Sequence, residues 1–196
     1  PRVTSDCKPW PAGGELVLCG SCGTIQKLPT QTWLEEIAQI YSAYEIYHLS
    51  DGAEQKVFTS AGVPLARSKV LIDFAVEIFR RHGDAGLLID IGCGNGAALA
   101  NLSAALPGWS FDGHELLDKS LEVLQQIPGF RKLHIGSTEK VTERYDVVSM
   151  IHSFEHMPLP DHALREVVRL MRNDGAILIE VPDLETSHFD LLVADH

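Results

Sequence analysis

The residues whose types and spacing could do chemistry begin with a carboxylate and three alternating glycines. The stretch Leu87-Leu88-Ile89-Asp90-Ile91-Gly92-Cys93-Gly94-Asn95-Gly96 runs from an apolar segment through Asp90 into Gly92, Gly94 and Gly96. An apolar run bounded by glycines reads as a buried parallel strand. Glycine lets the backbone turn tightly and approach a ligand closely. Ala97-Ala98-Leu99-Ala100-Asn101-Leu102 follows with helix-forming composition. Strand, glycine turn and helix make a nucleotide cradle at the carboxyl edge of an open α/β sheet. A second apolar run, Trp109 to Glu115, ends in a carboxylate about twenty positions past the turn, where it can accept hydrogen bonds from two ribose hydroxyls.

Two further groups carry chemistry. Glu155-His156 lies just beyond the apolar run Tyr145–Met150, at the same carboxyl edge. A histidine is a suitable base near neutral pH, and Glu155 could orient it, act itself or bind a substrate hydroxyl. His152 reads as a pocket-lining residue, and Cys93 as a small packing residue inside the turn. Near the start, Cys19-Gly20-Ser21-Cys22-Gly23 is a C-x-x-C knuckle that can present two thiolates to one tetrahedral centre, with Cys7 as a third ligand. This spacing predicts a structural zinc site, which supplies on the order of 10 kcal/mol to a segment too small to hold itself together. A fourth ligand is expected upstream of Pro1. A redox role would need the motif at a helix start in a βαβ unit, which is not the context here.

The elements that must position these groups follow from periodicity. Residues 1–30 form the expected zinc-binding knuckle domain, 31–83 a helical connection and lid, and 84–196 the catalytic domain. Thr32-Trp33-Leu34-Glu35 reads as a capping box opening a helix to about His48, with Tyr41, Tyr44 and Tyr47 along it. Ser50–Pro64 reads as a polar connection, followed by a helix over Leu65–His82. Strands are expected at Leu87–Ile91, Trp109–Glu115, Lys132–Ile135, Tyr145–Met150 and Ala176–Val181. Helices are expected at Gly96–Leu106, Asp118–Gln126 and Pro160–Met171, the last with Leu164, Val167, Val168 and Met171 inward. Strand–helix alternation of this kind builds an α/β fold with a doubly wound, mostly parallel sheet.

The 196 residues carry a net charge of −11 and 45% hydrophobic content, enough for one good-sized core and a small appendage. A phosphate-tracking surface needs clustered Lys and Arg, so a nucleic-acid partner is not expected. No apolar run reaches the roughly 20 residues that span a bilayer, and no signal-peptide pattern is present. These observations lead to an expected cytoplasmic location, where thiols stay reduced and clustered cysteines suit a metal.

Gly92-x-Gly94-x-x-Ala97 satisfies the dinucleotide fingerprint, while Asp90-x-Gly92-x-Gly94-x-Gly96 resembles the first motif of class I S-adenosylmethionine-dependent methyltransferases. The two differ physically. A dinucleotide needs its helix N-terminus free for pyrophosphate, which a neighbouring carboxylate repels. S-adenosylmethionine has a cationic sulfonium and an ammonium, which a carboxylate favours. Tyr145–Pro158 resembles the fourth-strand motif of that superfamily, and Leu170–Pro182 resembles its turn-glycine-strand motif. The knuckle with its following helices resembles the zinc-binding domain of the sugar C-methyltransferase branch. The resemblance implies a Rossmann-like methyltransferase fold, cofactor contacts from Asp90, Gly92, Gly94, Gly96, Glu115, Ser137 and His152, catalysis by Glu155 and His156, and a small polar methyl acceptor such as a nucleotide-linked deoxysugar. Ser137 stands where many members have an acidic residue that holds the adenine amino group. The family sheet also has two further strands, and a five-stranded sheet would leave an exposed edge, so the native protein is expected to be longer. An NAD-dependent oxidoreductase and a non-catalytic zinc and nucleotide-fold protein are the alternative readings.

Overall fold

The computed structural model describes residues 2–4, 8–11, 15–43, 56–58 and 61–182. Cys7, Tyr44, Tyr47 and His48 lie outside the described residues. The chain divides into two compact units. One comprises residues 1–52, 155–160 and 182–196, and the other residues 53–154 and 161–181. This differs from the expected connection over 31–83, because the chain from Ala53 onward, including a helix expected in that connection, belongs with the sheet.

In the first unit, β1 (Arg2–Val3) pairs antiparallel with β2 (Pro9–Trp10), and β3 (Val17–Leu18) pairs antiparallel with β4 (Ile25–Gln26). Helix α1 (Gln31–Ser42) is capped two residues before the expected Thr32. Its cap is Thr30, whose hydroxyl accepts from the Trp33 amide at 3.2 Å. Ile37 and Ile40 are its buried residues, and Trp10 donates its indole N–H to Glu36.

The second unit opens with an antiparallel pair, β5 (Lys56–Phe58) and β6 (Pro64–Ala66), inside the stretch expected as a polar connection. Helix α2 (Arg67–Phe79) buries Ile72, Ala75, Val76 and Phe79, whereas Val70, Phe74 and Ile78 face outward. Then come β7 (Leu87–Ile91), α3 (Ala97–Ala105), β8 (Ser110–Glu115), a single turn α4 (Leu121–Leu124), β9 (Phe130–Ile135), β10 (Tyr145–Ile151), α5 (Pro160–Leu170) and β11 (Met171–Glu180). Helix α5 buries Val167 and Leu170, while Leu164 and Val168, expected inward, are exposed, which places its buried stripe about one residue earlier in the chain. Met171, also expected inward on that helix, instead starts β11 and is half-buried.

The five strands β11-β10-β7-β8-β9 form one parallel sheet. From β7 the chain steps outward through β8 to β9, then returns to the other side of β7 for β10 and β11. Right-handed crossovers therefore put α3 and α5 on opposite faces of the sheet. The strand order reverses between β7 and β10, and ligands of open α/β sheets enter at the carboxyl ends of the strands flanking such a reversal. The core beneath that edge joins Ile72, Phe79, Leu88, Leu99, Leu102, Trp109 and Phe111, each at most 3% exposed.

A polar cluster fastens the start of β10 to β8 and β9. Tyr145 donates to Asp112 Oδ2 at 2.8 Å, and Arg131 Nε lies 3.1 Å from Asp112 Oδ1. His134 and Glu143 complete it, with Lys132 Nζ 2.6 Å from Glu143. Burial and the neighbouring carboxylates hold the Tyr145 hydroxyl protonated. Asp112, His134 and Glu143 lie close enough to share a metal ion, but Arg131 and Lys132 already balance their charge.

Candidate active site

Gly92, Gly94 and Gly96 all adopt left-handed backbone, with φ of 75°, 55° and 81°. Only glycine adopts that conformation freely. At two of these positions space is lacking as well. A Cβ on Gly92 would come within 2.5 Å of Ser153 Cβ, and one on Gly96 within 2.5 Å of Leu124 Cδ2. The amides of Gly92 and Cys93 donate to His114 O at 2.9 and 3.2 Å, which ties the turn to the end of β8. Cys93 is buried, and its thiol is shifted up beyond the range of physiological ionisation by desolvation, so it packs and does not attack.

Glu115 closes the same turn. Its Oε1 accepts from the Gly94 amide at 2.7 Å and its Oε2 from the Leu116 amide at 3.2 Å. Burial pushes the carboxyl above its ordinary range, and these amides oppose the shift. The carboxylate thus stands at the carboxyl end of β8, against the glycine turn, as the sequence spacing predicts. Gly96 opens α3 without a side-chain cap.

Asp90 lies deeper than a ligand-facing carboxylate. It is 2% exposed, and Ser149 of β10 donates to its Oδ1 at 2.7 Å. Desolvation pushes this carboxyl up to about 7, opposed by the Ser149 hydroxyl and reinforced by the nearby Glu115 charge. The folded state therefore favours protonated Asp90. The stability this group contributes is full below the unfolded value near 4 and is lost as pH rises towards about 7. The Asp90→Asn variant keeps an oxygen for Ser149 but cannot ionise. In urea unfolding it is expected to match wild type near pH 4 and to be more stable above pH 7, by about 4 kcal/mol at most. An unchanged difference across that range would contradict the assignment.

Sequence reasoning missed Ser153 and His114, which frame the turn, whereas Ser137 and His152 beside them were expected. Ser153 donates to Ile91 O at 2.5 Å and presses on Gly92. His114 is kept neutral by burial, and its Nε2–H donates to Gly136 O at 2.7 Å. That bond holds the start of the loop bearing Ser137. The Ser137 hydroxyl accepts from the Glu139 amide at 3.2 Å, capping the short turn Thr138–Lys140. His152 directly follows β10 with φ of 52°, the only positive φ outside glycine among the described residues.

Glu155 and His156 belong to the first unit, where Glu155 Oε1 lies 3.9 Å from His156 Nε2 and the Tyr41 hydroxyl donates to His156 O at 3.4 Å. Cys19 and Cys22 sit at the tip of the β3–β4 hairpin. The Cys19 amide donates to Thr24 O at 2.8 Å and the Gly23 amide to Cys19 O at 2.9 Å. Hydrogen bonds from Thr24 and Cys19 hold the exposed Cys22 thiol below its ordinary range. No described helix is long and apolar enough to cross a membrane.

Residues 65–194 match the model of a family described as a methyltransferase domain. The chain is 33% identical over 99 residues to the ubiquinone biosynthesis O-methyltransferase of Nitrosomonas europaea, covering 45% of this chain and 40% of that one. Among solved structures it is similar in fold to coclaurine N-methyltransferase bound to N-methylheliamine and SAH, with TM-score 0.58 and 16% identity over 75% of this chain and 46% of that one. It is also similar to an amino pentose methyltransferase from Micromonospora echinaspora involved in calicheamicin biosynthesis, solved with SAM, with TM-score 0.51 and 22% identity over 59% of this chain and 51% of that one. The chain thus spans between 40% and 51% of the length of these relatives.

Proposed function

The chain belongs to the methyltransferase-domain family, and from that premise we propose that it transfers a methyl group from S-adenosylmethionine to a small polar acceptor. The observation that carries this reading is Glu115 against the glycine turn at the strand-order reversal. A dinucleotide would need the Gly94 amide for its pyrophosphate, and the carboxylate that occupies this amide would repel that anion. The left-handed backbone of Gly92, Gly94 and Gly96 makes the tight turn that brings main chain to a ligand at the strand ends.

In this reading Glu115 accepts from the two ribose hydroxyls, the glycine turn holds the methionine end, and Ser137 meets the adenine. Asp90 acts from beneath, through Ser149 and the negative potential it adds when ionised. When bound, S-adenosylmethionine supplies an electrophilic methyl group on a sulfonium. His156 takes the proton released by a hydroxyl or carbon acceptor, with Glu155 orienting its imidazole. We extend the acceptor to a nucleotide-linked deoxysugar, on the resemblance of the knuckle to the sugar C-methyltransferase branch. Mass spectrometry of the protein incubated with S-adenosylmethionine and a panel of nucleotide-linked sugars is expected to report a methylated sugar. Methylation confined to non-sugar acceptors would reject this extension.

The structural zinc is part of the same proposal. Cys19 and Cys22 on their hairpin tip would supply two ligands and Cys7 a third, in the reducing setting of a cytoplasmic protein. Metal analysis is expected to find zinc in the wild type, with the content lost in Cys19→Ser. Equal zinc in the two proteins would rule the site out.

A further inference from the structure

Helix α2 is apolar on two faces. Ile72, Ala75, Val76 and Phe79 are buried, as the inward stripe of a surface helix should be. Val70, Phe74 and Ile78 form a second stripe on the outside, one turn apart, and Phe74 is 74% exposed. The β5–β6 hairpin that runs directly into the helix adds to the exposed apolar surface. Phe58 is 74% exposed and pairs with Pro64, and Val63 before that proline is exposed as well. A solvated helix needs one apolar stripe. A second one, with a hairpin of the same character leading into it, marks a face that something covers.

The charges select the occupant. At helical spacing the outer row reads Arg67, Val70, Phe74, Ile78 and Arg81, an apolar stripe with an arginine at each end. Arg81 lies in the short turn Arg80–His82 that continues α2. Residues 67–82 hold four Lys or Arg against two Asp or Glu, in a chain of net charge −11. Lys69 and Asp73 neutralise each other at 2.7 Å, and Arg67 Nε lies 4.0 Å from Glu180, so the excess sits at the Arg80–Arg81 end. A second copy of the chain fits this row poorly. Antiparallel pairing about Phe74 sets Arg67 of one copy against Arg81 of the other, and parallel pairing sets each arginine against itself. Like charges meet either way and repel. Side chains as exposed as Phe58 and Phe74 stand out from the surface, which suits entry among lipid headgroups better than seating in a matched groove. Basic residues beside them meet anionic phosphates.

We propose that α2 and the β5–β6 hairpin form a peripheral docking face for an anionic phospholipid surface, with Phe58 and Phe74 entering the headgroup–acyl boundary and Arg80 and Arg81 meeting lipid phosphates. The 13 residues of α2 are too few to span a bilayer, so the attachment lies in the interface plane. It uses no residue of the glycine cradle and stands independently of methyl transfer.

Flotation of the whole protein with vesicles tests this, using phosphatidylcholine alone and phosphatidylcholine mixed with phosphatidylserine. Wild type is expected to float with the mixed vesicles, to stay behind with phosphatidylcholine alone, and to be released by high salt. Phe74→Ser is expected to weaken binding about tenfold or more, because a large apolar side chain no longer leaves water. Arg81→Glu should weaken it by about tenfold or more as well, since a charge beside the phosphates is reversed. Both side chains are exposed, so the melting temperatures of the two variants should match wild type and lost flotation is not lost folding. Equal flotation of Phe74→Ser and wild type, or flotation that ignores phosphatidylserine, would overturn the proposal. No flotation of wild type with either vesicle would overturn it too, leaving the face to an acidic protein partner. A wild-type dimer in sedimentation velocity that Phe74→Ser abolishes would overturn it by giving the face to a second copy.

Discussion

Replacing Glu115 with alanine is expected to weaken S-adenosylhomocysteine binding by about 100-fold or more in calorimetry, because two charge-assisted hydrogen bonds are removed together. The same carboxylate accepts from Gly94 and Leu116, so its loss also frees the glycine turn. Glu115→Gln separates the two effects. The amide oxygen can still accept from Gly94, which keeps the turn, but it accepts only one strong bond from the ribose, so an intermediate affinity is expected. Wild-type affinity in Glu115→Ala would remove the residue from the site.

The second large effect is at Gly92. Alanine there must adopt φ near 75°, at a cost of roughly 1–2 kcal/mol, and its methyl meets Ser153 Cβ at 2.5 Å. Ser153 cannot retreat without giving up its bond to Ile91 O. Together these penalties are expected to lower Tm by about 10 °C and to abolish cofactor binding, with the sheet still formed. Gly20→Ala is the matched control, since a Cβ there meets nothing within 4 Å and no left-handed φ is required. A Gly92→Ala protein as stable and as ligand-competent as that control would contradict the tight cradle.

The strand β7 and its glycine turn are legible because the signal is local: a continuous apolar run, then glycines at positions where the backbone is left-handed. Glu115 is legible for the same reason, as a strand end at a fixed distance. The framing groups are not. Ser149 reaches Asp90, Ser153 reaches the turn and Glu180 reaches His152 through the pairing of β10 with β7 and β11, partners about 60 and 30 residues apart in the chain, which no local pattern encodes. The left-handed corner at His152 is only weakly signalled, because histidine is enriched at positive φ but adopts it in a small minority of positions. The helix start at α1 was expected at the Thr32 capping box, and the cap hydrogen bond places it at Thr30, an equally good capping residue two positions earlier. The β5–β6 pair hides in a stretch rich in turn residues, where Gly62 with φ of 75° precedes β6. The outward Leu164 and Val168 of α5 are apolar without being core, so periodicity alone over-extended the buried stripe.

The central claim is that the cradle of Gly92, Gly94, Gly96 and Glu115 takes a methyl donor and not a dinucleotide. Calorimetric titration of the protein with S-adenosylhomocysteine and, in parallel, with NADH tests it most directly. Saturable micromolar binding of S-adenosylhomocysteine with no heat from NADH is the predicted result. Saturable binding of NADH with none of S-adenosylhomocysteine would contradict it.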